Sequence, residues 1–179
     1  FGVSPLVYSA WEGEGRVVTE NTITMVTRVY IILCLPAAVG LSVLAFPFVA
    51  LLTAPDYYEG SRIVGFVAFS SFAWGLSNIA MMGIAIKKQA GRLAANQIAA
   101  AFIHIGLQLL LVPLFGYVAA AISTLIGYTV LLVLQTSASR PHLTWRFPFS
   151  TLRNVIAASV VMGLVAWGIY GMSGAGSSM

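Results

Sequence analysis

The sequence predicts an all-α, polytopic transmembrane helical bundle, and three observations carry that prediction. Apolar residues make up 59% of the 179 and charged residues only 8%, against roughly 45–50% and about 25% in soluble domains. Mean hydropathy is +0.93. Apolar runs of about 20 residues, the length a helix needs to cross a hydrocarbon core of about 30 Å, recur between short polar breaks.

The opening "FGVSPLVYSA" (1–10) carries no initiator methionine and no basic leader region, and it reads as the tail of a preceding span; a fragment of a longer chain is expected. Residues 11–27 then form a cytoplasmic connection. The first complete span is expected over 28–52, kinked where Pro36 and Pro47 remove backbone donors. "TAPDYYEGSR" (53–62) is an interfacial loop with two acids and an aromatic pair. A second span covers 63–86, a basic loop "KKQAGR" (87–92) follows, and a third span covers 93–114. "PLFG" leaves room only for a tight turn before a fourth span at 117–135. A longer polar connection (136–153) leads to a fifth span at 154–170, and 171–179 is a flexible end. The transmembrane bundle is thus expected over 28–170, with about five spans.

Orientation follows from the basic residues. If connections alternate sides, Arg16, Arg28, Lys87, Lys88, Arg92, Arg140, Arg146 and Arg153 share one side and Arg62 stands alone on the other. The richer side is cytoplasmic by the positive-inside rule, which leaves the Asp56/Glu59 loop outside.

Several function classes are disfavoured. The basic residues are scattered through interspan segments, so no nucleic-acid groove is expected despite the net charge of +4. The single cysteine, Cys34, lies in an apolar run and reads as a small buried hydrophobe. No metal-ligand spacing, Gly-rich phosphate loop or paired intramembrane carboxylate points to an enzyme, and no cofactor is expected. No filter-like repeat points to an ion channel.

Polar residues within spans are the candidates that remain. Gln97, His104 and Gln108 fall on one stripe of the third span, and His104 lies about 16 Å from its cytoplasmic end at 1.5 Å per residue. Two readings stand: hydrogen-bonded packing between helices, or a cavity lining in which His104 meets a polar headgroup or a proton. Asn78 can join that stripe; Ser70 and Ser71 are weaker candidates because serine bonds its own helix. Arg28 reads either as a snorkelling anchor at a helix start or as a phosphate ligand. His142, beside Pro141, is a loop residue. In the fourth span Gly116, Ala120, Ser123, Thr124 and Gly127 form a small-residue face for close helix packing.

The segments "LPAAVGLSVLAFPFVALLTAPDY", "KKQAGRLAANQIAA" and "GLQLLLVPLFGYVAAAISTLIGY" together resemble the C-terminal half of the polysaccharide biosynthesis (oligosaccharide flippase) family, within the multidrug/oligosaccharidyl-lipid/polysaccharide exporter superfamily. The resemblance runs from about Pro5 to Tyr170. It rests on Leu35-Pro36, Asp56-Tyr57, Lys87-Lys88, Val112-Pro113-Leu114-Phe115-Gly116, Ala119-Ala120 and Tyr128 in family order. His104 and Gln108 stand where relatives tend to carry asparagines, and Ala119 replaces a glycine. The resemblance implies two six-span bundles around a cavity, of which this chain is most of the second. It implies a lipopolysaccharide-type flippase in the cell inner membrane, working by alternating access on lipid-linked oligosaccharide among the membrane lipids, with the N-terminal bundle of the same protein as its other half. A drug/cation antiporter of the same superfamily and a non-transporting membrane scaffold stand as alternatives. The antiporter wants an acid within a span, whereas all five acids here lie in loops or at ends.

Overall fold

The computed structural model describes residues 4–13, 15–141 and 147–175. His142 and Arg146, and the last four residues of the expected flexible end, lie outside the described residues. The described chain is helical throughout its length: α1 (Ser4–Gly13), α2 (Arg16–Val43), α3 (Ala45–Leu52), a 3-10 turn (Pro55–Gly60), α4 (Ser61–Ala80), α5 (Met82–Ala85), α6 (Ala90–Ser139) and α7 (Phe149–Ala175). Among the described residues, four helical segments are long and apolar enough to cross a membrane: Arg16–Val43, Pro55–Ala85, Ala90–Ser139 and Phe149–Ala166.

The third of these is two expected spans in one. At 50 residues, α6 would reach about 75 Å if straight. It instead reverses at Gly116, whose φ of 65° and ψ of −150° suit a residue without a Cβ. The arms 90–115 and 117–139 run antiparallel, as contacts between Asn96 and Leu134 and between His104 and Thr124 require. The "PLFG" turn therefore lies where the sequence places it.

The expected start of the first span shifts most. The stretch read as a connection over 11–27 is helical from Arg16 onward, and α2 continues unbroken to Val43. Its polar look misleads for a physical reason. Thr19, Thr22, Thr24 and Thr27 each turn the hydroxyl back onto a carbonyl four residues earlier, at 2.7–2.9 Å, so a threonine-rich stretch satisfies itself inside a helix. Thr19, Ile23, Thr27, Ile31 and Leu35, spaced by four, are the buried edge. The helix passes through Pro36 and breaks only between Val43 and Ala45. There the ring of Pro47 cannot bond the Val43 carbonyl four residues back. At the far end α7 is helical to Ala175, beyond the expected limit at 170.

α2 packs on both α4 and α7, α4 packs on α6, and α1 lies along the first half of α2. Two clusters hold this arrangement: Val7, Ile23, Ile79, Met82 and Ile86 at one end, and Ile31, Leu35 and Leu76 at mid-height. Lipid tails are as apolar as leucine, so these contacts stabilise through close packing rather than through water release. Outward faces are greasy: Leu51 is 83% exposed and Phe102 72%. Such a surface fits hydrocarbon and not water; the chain is a multi-pass membrane bundle.

The α5–α6 connection closes as a Schellman turn. Lys88 N–H donates to Ala85 O and Gln89 N–H to Ile84 O, which places Lys88 at the left-handed position with φ 55°. Glycine is usual there, and a side-chain-bearing residue costs about 1 kcal/mol.

Candidate functional site

Two polar features stand at membrane depth. The first runs up the inner seam of the α6 hairpin. Asn96, Ala100, His104 and Gln108 recur every four residues and so share one edge of the first arm. Asn96 Nδ2 donates to Leu134 O and to Gln135 Oε1, both at 3.4 Å. His104 Nε2 lies 3.2 Å from Thr124 Oγ1 and 3.1 Å from Gln108 Nε2. The Gln108 amide nitrogen carries only donor hydrogens, so in this orientation His104 presents a lone pair to it, which suits the tautomer with hydrogen on Nδ1. In that tautomer Thr124 is the donor to His104 Nε2, and Ala120 O, 2.8 Å from Thr124 Oγ1, competes for the same hydroxyl hydrogen.

Close approach makes this seam possible. A Cβ built on Gly127 would sit 2.9 Å from His104 Cβ, so the small-residue face read from the sequence has a defined partner in the first arm. His104 and Gln108 are only half-buried, whereas Gln135 is 1% exposed. The seam therefore has a sealed lower end and a polar middle reachable from one side.

The second feature is Arg28. The sequence places it at the start of a span; the helix starts at Arg16, twelve residues earlier, or about 18 Å at 1.5 Å per residue. Tyr30, two residues on, donates to Phe72 O at 3.2 Å and stacks on the Phe72 ring at 5.6 Å. Phe72 is near the middle of the 61–85 crossing, so the Arg28 backbone lies at mid-height. Its side chain is exposed, and Asn21 and Thr24 share its face of α2. Among the described residues the one ion pair is Arg16 to Glu20, at 2.8 Å.

The other expected residues lie elsewhere. Gln97 is exposed beside Asn96 and points away from the seam's partner arm, and Asn78 Nδ2 donates to Trp74 O of its own helix at 2.8 Å. Ser70 likewise bonds Val67 O. Sequence reasoning misses Asn96 and Gln135, and places Thr124 only on the small-residue packing face. The four-residue spacing from Asn96 to His104 could have found the first of them.

Two apolar recesses flank α2. One, about 610 Å³, lies between α2, α3 and α4; the other, about 690 Å³, lies between α1 and α2. Tyr30 and Cys34, one turn apart, border both. Cys34 is thus half-buried rather than fully enclosed. No group of three metal-ligating side chains occurs among the described residues. No protein-family model matches the chain, and no curated protein or solved structure matches it.

Proposed function

We propose that the chain is one bundle of a cytoplasmic-membrane flippase that moves lipid-linked oligosaccharide from the inner to the outer leaflet by alternating access. The observation that carries this reading is Arg28, an exposed arginine at mid-height of a spanning helix. A charge facing lipid at that depth costs about 2.5–3.5 kcal/mol on insertion scales. Facing an aqueous cavity between this bundle and the second one that the resemblance implies, it meets water or an anionic headgroup instead. Asn21 and Thr24 extend the polar face below it, and the half-exposed His104 and Gln108 supply hydrogen-bonding groups of the kind that sugars require. The apolar recesses beside α2 give the hydrocarbon tail a surface outside that cavity. A cation antiporter is served poorly by the same layout, because a cation repels the midplane arginine. Glu20, the one acid on α2, is tied to Arg16.

The test is Arg28→Leu in the full protein, with Arg28→Lys beside it, measuring arrival of lipid-linked oligosaccharide at the outer leaflet. Leucine favours insertion, so the protein should accumulate normally and lose transport, with lysine retaining part of it. Undiminished transport by Arg28→Leu refutes the reading.

A further inference from the structure

The reversal of α6 brings its two ends to one place. Asn96 meets Leu134 and Gln135, so Arg92, one turn before Asn96, and Arg140, five residues past Gln135, flank the same open end of the hairpin. Lys88 stands beside Arg92 at the head of the first arm, and all three side chains are exposed.

Neighbouring cations are already engaged. Lys87 lies over the Trp11 ring, 5.0 Å from its centroid, and Arg16 is paired with Glu20. Lys88, Arg92 and Arg140 form no such ion pair or ring contact among the described residues, and the first turn of α6 holds no acid. Lys88 also holds a left-handed backbone position that favours glycine, so a cation is kept there against local backbone preference. Below Arg92 lies charge; above it the first arm presents exposed Ile98 and Phe102. That order, cation at the interface and apolar surface inward, is the order of a phospholipid.

We propose that Lys88, Arg92 and Arg140 form a binding site for the headgroup of an anionic phospholipid, a resident lipid and not the transported substrate. The lipid's phosphate bridges the two ends of the hairpin and its acyl chains run along the first arm. The site is separate from the Arg28 face and stands or falls independently of the transport reading.

The experiment purifies the full protein from vesicles holding equimolar phosphatidylglycerol and phosphatidylcholine and measures the ratio of the two in the retained lipid. Each basic residue at a membrane surface favours an anionic lipid by a factor of about five. Lys88→Gly should therefore lower the phosphatidylglycerol preference severalfold while raising thermal stability, because it removes the left-handed strain. The triple variant K88Q/R92Q/R140Q should bring retained lipid to the bulk ratio, and Arg62→Gln at the opposite end should change nothing. The charge-preserving R92K/R140K keeps the preference, which separates loss of charge from loss of fold. An unchanged preference in the triple variant overturns the proposal. So does an equal loss from Arg62→Gln, which would mean diffuse charge, or displacement of the lipid by inorganic phosphate, which would mean a free-phosphate site.

Discussion

Tyr30 of α2 lies directly over Gly75 of α4. A Cβ at Gly75 would overlap the tyrosine hydroxyl and sit 2.9 Å from ring atom Cε2, while the hydroxyl itself donates to Phe72 O at 3.2 Å. The glycine makes room for the ring, and the ring's one polar atom is satisfied by a backbone carbonyl within the membrane. Gly75→Ala should cost about 1–3 kcal/mol, the usual cost of overpacking, and Tyr30→Phe about 0.5–1.5 kcal/mol for the lost hydrogen bond. Thermal unfolding in detergent measures both. Tyr30→Leu in the Gly75→Ala background should recover much of the first loss; a purely additive double variant would refute the contact.

The same logic applies inside the hairpin, with a sharper signature. A methyl on Gly127 meets His104 at Cβ, 2.9 Å away, and no rotamer of the histidine moves that atom. Gly127→Ala should thus destabilise by about 1–3 kcal/mol, and His104→Ala, which keeps its Cβ, should not rescue it. His104→Gly should, apart from its own helix penalty of about 1 kcal/mol. Rescue by alanine would place the clash further out on the ring.

How far the sequence reveals this arrangement depends on the kind of signal. Helical class and the reversal at Gly116 follow from long apolar runs broken by Pro and Gly. The sequence sets Arg28 half a helix too low because a threonine-rich stretch looks like a loop until its hydroxyls are seen bonding backward along the helix. The sequence pattern puts Gln97 on the polar stripe where the structure has Asn96, a difference of one residue and 100° around the axis. Partners such as Gln135 depend on antiparallel register between arms, and a single chain's periodicity does not encode register.

His104 and Thr124 join the two arms, and the strength of that join is measurable. A double-mutant cycle with His104→Ala and Thr124→Val should give a coupling of about 0.6–1.7 kcal/mol, the range for hydrogen bonds between membrane helices. Thr124→Val keeps the shape and removes the hydroxyl, so the term isolates the bond. Zero coupling would mean that the 3.2 Å contact contributes only proximity, and that His104 is available for another partner.

Orientation in the membrane can be tested at two glycines that the fold leaves open. Gly60 adjoins the acidic loop of Asp56 and Glu59, and Gly91 lies between Lys88 and Arg92 at the other end of α4 and α5. A Cβ added at either meets nothing within 4 Å, so Gly60→Cys and Gly91→Cys should fold normally in a Cys34→Ala background, where each is then the sole thiol. The basic bias predicts Gly91 in the cytoplasm and Gly60 outside. In intact cells a membrane-impermeant maleimide should label Gly60→Cys at once and Gly91→Cys only after permeabilisation. The reverse pattern would invert the bundle and turn the basic end of the hairpin away from the cytoplasmic leaflet. Labelling of both in intact cells would mean that the 61–85 segment does not cross the bilayer at all.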